Sequence, residues 1–166
     1  GWSAATPANV RSAQQYLREL AAEGSTNISG ALEEALRASP ATDRLPLVLF
    51  LTDGAPTVGE RRPDRIAELA MRLRGRQRLF TFGVGTDVNA SLLEQLALSG
   101  RGTAQFVRPD EDVERAVDVV AQRLTRPVAT DLRMRVNGVR VDRVQPAGDL
   151  DLFAGQELTV FARYRG

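Results

Sequence analysis

Apolar and polar residues repeat with two different periods along the first 125 positions, and the two periods take turns. Thr6-Pro7 reads as an N-cap followed by proline at the first helical position. Val10, Ala13, Tyr16, Leu17 and Leu20 then recur at helical spacing, and Gly24 stops the run. A second helix is predicted with Ile28, Ala31, Leu32, Ala35 and Leu36 on one face, ended by Ser39-Pro40. Leu47 to Thr52 is a short continuous apolar run, the pattern of a strand buried in a parallel sheet. Pro63 opens a helix carrying Ile66, Leu69, Ala70 and Leu73, and Leu79–Val84 is the next strand. Asn89 is a good N-cap for a helix with Leu92, Leu93 and Leu96, closed by Gly100. Thr103 to Val107 is a short strand. Asp110 caps a long helix predicted to turn Val113, Ala116, Val117, Val120 and Leu124 inward. Strands alternating with helices imply βαβ crossovers and a parallel sheet, with strand starts near 47, 78 and 103.

The period changes at Arg126-Pro127. Leu132–Val136 and Val139–Val144 alternate around Asn137-Gly138, a strong signal for a hairpin with a type I′ turn. Leu158 to Tyr164 reads as a further strand of the same small sheet. This tail is predicted to be all-β and to lean on a neighbour, because about 40 residues is near the lower limit for independent stability.

Composition narrows the classes of function. At 166 residues and 43% hydrophobic content, the chain can bury a sizeable core. No run approaches the roughly 20 apolar residues of a membrane span. Formal net charge is +1, so nothing indicates a general attraction for nucleic acid. All 22 basic residues are Arg, a bias we attribute to codon usage. The cluster Arg72, Arg74, Arg76 and Arg78 reads as a solvated helix end, with an anion patch as the alternative. There is no Cys, hence no disulfide and no thiolate metal site. There is no His, which removes the usual nucleophilic triads and the commonest general base.

The chemistry that remains is oxygen chemistry. The apolar run 47–52 ends in Thr52-Asp53-Gly54, which places a carboxylate at the C-terminal tip of a strand. Ligands of open α/β sheets bind beyond such tips. Thr26, just before the second helix, offers a hydroxyl. Both are hard donors that could share a divalent cation such as Mg²⁺. Each also has a structural reading: Thr26 as the cap of the second helix, Asp53 as organiser of the turn with Gly54. Asn27 reads as a cap or loop bridge. Asp87-Val-Asn-Ala-Ser91 imitates a ligand loop, but Asn89 is better explained as a helix cap.

Enzymatic alternatives are thin. Thr52-Asp53-Gly54 with Thr57 is faintly similar to the aspartyl loop of haloacid-dehalogenase-like phosphatases, in which Asp53 would handle phosphate. Position 55 is Ala, where that chemistry needs a second Asp. Gly83-Val-Gly85 lacks the third glycine of a dinucleotide fingerprint, since position 88 is Val. A phosphate-binding P-loop needs Lys, and there is none.

Taken in order, Phe50–Glu60, Arg62-Pro63, Phe82-Gly-Val-Gly85, Asn89 with Leu92-Leu93, and the tail Asp151–Glu157 with Phe161–Arg165 resemble the von Willebrand factor type A domain. They are most similar to its inter-alpha-trypsin inhibitor heavy-chain branch, in a bacterial form. The resemblance implies an α/β fold: the C-terminal half of a doubly wound, Rossmann-like parallel sheet, followed by a short antiparallel β segment. It divides the chain into a partial type A domain at 1–127 and a β-rich segment at 128–166. It implies a non-enzymatic protein-binding or adhesion module with a Mg²⁺-dependent site. Thr26 and Asp53 would be its metal ligands in this chain, and a partner's acidic side chain would complete the shell. The family's Asp-x-Ser-x-Ser element does not occur here, so the Mg²⁺ site is expected to be incomplete and weak. A purely structural half-domain is the alternative. In it, strand 47–52 lacks a neighbour, and self-association through its edge is expected. A secreted or cell-surface location is the family's implication.

Overall fold

Three parallel strands carry the first part of the chain: β1 (Leu47–Thr52), β2 (Arg78–Val84) and β3 (Ala104–Val107), in spatial order β1-β2-β3. The computed structural model describes residues 3–21, 24–37, 44–108, 110–112, 127–148, 150–153 and 157–165, with positions 114, 115, 117, 118, 121 and 155. Two units are distinguished, Gly1–Pro109 and Asp110–Gly166. In the first, β2 is central and buried from Arg78 to Gly83, as a strand covered on both faces should be. Its register sets Leu49 beside Phe80 and Leu51 beside Phe82. β1 is an edge strand whose burial falls off toward the outer face.

Three helices cover one face of this sheet. They are α2 (Ile28–Arg37), α3 (Pro63–Leu73) and α4 (Ala90–Ser99); α1 (Pro7–Glu19) precedes them. Ile28, Leu32 and Leu36 of α2, Ile66, Ala67 and Ala70 of α3, and Leu92, Leu93 and Leu96 of α4 form one core with Leu79, flanked by Val48, Phe50 and Phe106. Side-chain caps start α1 and α4 where the sequence placed them. Thr6 Oγ1 accepts from Asn9 N at 3.2 Å, and Asn89 Oδ1 accepts from Leu92 N at 3.0 Å. The buried Thr81 hydroxyl on β2 donates to the Leu93 carbonyl at 2.9 Å, tying strand to helix without an unpaired polar group. Gly102 is required by close approach: a Cβ there would collide with the Leu79 carbonyl.

Several expectations need correction. Helix α1 forms, but none of its residues is buried, and Val10, Tyr16 and Leu17 stand exposed. Ala31 lies on the exposed side of α2. Arg78 is not part of a solvated helix end. It is buried at the start of β2, and its guanidinium donates to the Arg76 carbonyl, exchanging water for a main-chain acceptor. Positions 114, 115, 117, 118 and 121 are helical, but Val117 is exposed rather than inward. Val113, Ala116, Val120 and Leu124 lie outside the described residues.

In the second unit, β4 (Pro127–Leu132) pairs antiparallel with β6 (Leu150–Phe153), and β5 (Arg140–Gln145) with β7 (Phe161–Arg165). The hairpin expected across Asn137-Gly138 does not form. Residues 133–136 are not strand, and Gly138 sits in a bend at φ 86°. A lone two-stranded hairpin is marginal, and longer-range partners win. Leu150 and Phe153 oppose β4, and Phe153 is buried. Both ladders also carry irregularities that break strict alternation. Asp131 and Arg143 adopt positive φ at the register shifts, and Asp131 N donates to Asp151 Oδ1 at 2.9 Å. Among the described residues no helix interrupts 131–164, and the last strand begins at 161 rather than 158.

Candidate functional site

Parallel strands deliver their C-terminal tips to one rim, so the loops after β1 and β2 lie on the same side of the sheet. Asp53-Gly54 follows β1, and Asp87 follows β2; both carboxylates are exposed. Thr26 reaches this rim from the loop before α2. Its N–H donates to Thr57 Oγ1 at 2.8 Å, and its carbonyl accepts from Thr57 N at 2.9 Å and Val58 N at 3.3 Å. A Cβ on Gly54 would lie 3.9 Å from Thr26 Oγ1. The structure therefore brings Thr26 next to the Asp53-Gly54 turn.

The structural roles open to Thr26 and Asp53 are filled by their neighbours. Asn27, not Thr26, caps α2: its Oδ1 accepts from Gly30 N at 2.9 Å and from Ser29 Oγ at 3.2 Å. Thr52, not Asp53, organises the turn: its hydroxyl donates to the Gly54 carbonyl at 3.1 Å and accepts from Gly54 N at 3.3 Å. The Thr26 hydroxyl and the Asp53 carboxylate have no hydrogen-bond or ion-pair partner among the described residues.

Three residues hold this rim in roles that were not assigned from sequence. Thr57 clamps Thr26. Buried Ser29 accepts from Glu60 N at 3.2 Å, tying α2 to the far end of the loop. Gly59 has φ 72°, and a Cβ there would meet Asn27 Oδ1 at 2.6 Å and Ser29 Oγ at 2.7 Å. The signal available in advance was the string Thr57-Val-Gly59, hydroxyl and glycine at a loop end. At the start of α3, Asp64 pairs with Arg62 at 2.6 Å, and that hydrogen bond holds its carboxyl below the ordinary carboxylate range.

As a cation site, this rim is partial. Mg²⁺ takes six oxygens and parts with its waters reluctantly. Thr26 and Asp53 offer one hydroxyl and one carboxylate, both of the right hardness. Among the described residues no three acidic side chains converge on a common point. The pair fits a share of a hydrated Mg²⁺ shell and does not make a tight site unaided.

Residues 1–106 match the family model for the von Willebrand factor type A domain. The chain is 32% identical over 94% of its length to human inter-alpha-trypsin inhibitor heavy chain H6, of which it covers 13%. It is 33% identical to human inter-alpha-trypsin inhibitor heavy chain H4, over 94% of this chain and 18% of that protein. The pig heavy chain H4 is 30% identical over 98% of this chain and 19% of its own length. The chain thus spans less than a fifth of these relatives. The parallel α/β sheet, the strand-tip rim and these matches agree: the chain belongs to the von Willebrand factor type A domain family, in a form similar to the inter-alpha-trypsin inhibitor heavy chains.

Proposed function

We propose that the chain is a non-enzymatic protein-binding module in which Thr26 and Asp53 supply part of a Mg²⁺-dependent docking point. Its family mediates protein interactions as a class and often holds Mg²⁺. The observation that carries the reading for this chain is a pair of oxygens on one rim with no partner among the described residues. Asn27 takes the cap and Thr52 takes the turn, which leaves neither role to half-buried Thr26 or exposed Asp53. Free hard donors at a strand tip are what a hydrated cation needs. Bound there, Mg²⁺ would supply an exchangeable coordination position with a preference for carboxylates. Thr26 would hold its hydroxyl toward the ion through the Thr57 clamp, and Asp53 would balance charge directly or through water. The partner is a protein presenting an acidic side chain. We place the type A portion at 1–127 and a β-rich segment at 128–166. No described helix is long and apolar enough to cross a membrane.

The test is binding of fluorescent Asp- and Glu-containing peptides at saturating Mg²⁺, with and without a chelator. Binding lost on chelation, and lost in both Asp53→Asn and Thr26→Val, is the expected result. Binding that survives chelation, or that stays at the parent level in both variants, refutes the metal-assisted reading.

A further inference from the structure

Asp53 and Asn137 are the two Asp or Asn residues directly followed by glycine. In such a pair the glycine nitrogen can close a five-membered ring on the side-chain carbonyl carbon, because glycine has no Cβ to crowd the attack or restrict the backbone. The structure treats the two pairs differently. Gly54 N donates to Thr52 Oγ1 at 3.3 Å, which occupies that nitrogen, and an ionised carboxylate is a poor electrophile. Asn137 carries an amide. It is exposed in the link between β4 and β5, in a bend at 137–139. Asn137 and Gly138 make no hydrogen bond among the described residues. Gly138 has φ 86°, and nothing lies within 4 Å of where a Cβ would stand. A closed hairpin would have fixed both residues in a tight turn, and that restraint does not form. The other three asparagines are held. Asn9 Nδ2 donates to the Ala4 carbonyl at 2.8 Å, and the next nitrogen, Val10 N, donates to the Thr6 carbonyl at 2.9 Å. Asn27 Oδ1 accepts from Gly30 N at 2.9 Å, and Ile28 after it is buried. Asn89 Oδ1 accepts from Leu92 N at 3.0 Å, and Ala90 N donates to the Val88 carbonyl at 3.1 Å.

We propose that Asn137 is a site of spontaneous self-modification, losing its side-chain amide as ammonia through a cyclic imide closed by the Gly138 nitrogen. A base from solvent takes the Gly138 N–H proton, and the nitrogen attacks Asn137 Cγ. The new N–Cγ bond closes the ring, the Cγ–Nδ2 bond breaks, and Nδ2 leaves as ammonia after taking a proton from water. Water then opens the imide. Cleavage at the Cγ–N bond leaves aspartate. Cleavage at the main-chain carbonyl leaves isoaspartate, in which the chain runs through Cγ and gains a methylene. Water is consumed and ammonia released in equal amounts, and no oxidant or cofactor is needed. Exposed Arg135 and Arg140 flank the bend in sequence, and positive charge nearby favours the anionic nitrogen. The product adds a carboxylate, which brings the formal net charge from +1 to zero. Isoaspartate also lengthens the backbone between β4 and β5. The site lies in the second unit and stands independently of any metal at Thr26 and Asp53.

Peptide mapping by mass spectrometry decides the matter. The whole folded chain is incubated in heavy-oxygen water at mildly alkaline pH, beside the same chain in urea. Heavy oxygen should enter at Asn137, with isoaspartate the larger product, more than about tenfold faster than at Asn9, Asn27 or Asn89. The folded rate at Asn137 should lie within about threefold of its rate in urea, because the open bend adds no barrier. Isoelectric focusing should show a more acidic species growing in step with the conversion. Asn137→Gln, which would need a larger and slower ring, should lose that species with an unchanged circular dichroism spectrum. An Asn137 that keeps its amide in the folded chain while converting in urea overturns the proposal. So does equal conversion of all four asparagines in the folded chain, or an acidic species that persists in Asn137→Gln.

Discussion

Thr26 and Thr57 hold each other reciprocally: the Thr26 N–H donates to Thr57 Oγ1 at 2.8 Å, and the Thr57 N–H returns a bond to the Thr26 carbonyl at 2.9 Å. This clamp joins the loop before α2 to the loop after β1 across 31 residues of sequence. It fixes the Thr26 backbone, while the Thr26 hydroxyl has no partner among the described residues. Thr57→Val keeps the shape and removes the acceptor. We expect a loss of about 0.5–1.5 kcal/mol in urea unfolding, with Thr57→Ser near the parent value.

Thr26→Val and Asp53→Asn should behave differently. Neither side chain carries a structural bond among the described residues, so each change should alter stability by no more than about 0.5 kcal/mol. Thr52→Val, which removes both turn bonds at Gly54, should cost more than either. Parallel unfolding curves for the three variants check the ordering. A large loss in Asp53→Asn would make Asp53 a structural residue.

Gly59 is the tightest point of the rim. Its φ of 72° and the 2.6 Å and 2.7 Å approaches to Asn27 and Ser29 leave no room for a methyl group. Gly59→Ala should destabilise by about 1–3 kcal/mol. Gly75, at φ 52° with open space around it, suffers only the backbone penalty. Gly75→Ala should therefore cost less, by roughly 1 kcal/mol or more, in a direct comparison of melting curves.

The Asn89 cap starts a helix that packs into the core. Leu92, Leu93 and Leu96 enter the core within two turns of it. Asn89→Ala should cost about 0.5–2 kcal/mol, and Asn89→Asp should restore most of it, since both side chains accept from Leu92 N. Thermal denaturation followed by circular dichroism reads both.

The parallel half of the fold was legible because its signals are local and concordant. The run 47–52 became β1 at those residues, and Asn89 and Gly100 bracketed α4 as expected. The tail misled for the opposite reason. Asn137-Gly138 encodes a turn, but a turn does not choose its strands' partners, and bulges at Asp131 and Arg143 shift the alternation that suggested them. Arg78 was misread because charge alone suggests solvent, whereas a main-chain carbonyl can receive a buried guanidinium. At the rim, Thr26 and Asp53 were visible as residue types on the right elements. Their freedom from structural duty was not, because a sequence does not say whether Asn27 or Thr26 caps the helix, or whether Thr52 or Asp53 makes the turn.

The central claim is that Thr26 and Asp53 share one hydrated cation, and paramagnetic relaxation by Mn²⁺ tests it most directly. Mn²⁺ takes oxygen ligands as Mg²⁺ does, and its broadening of nearby amide signals reports even weak occupancy. The account predicts broadening concentrated at Thr26, Asp53 and Gly54, competed by Mg²⁺ and strongly reduced in Asp53→Asn. Broadening that leaves these three untouched, or that centres on the acidic run Asp110–Asp112, would contradict it.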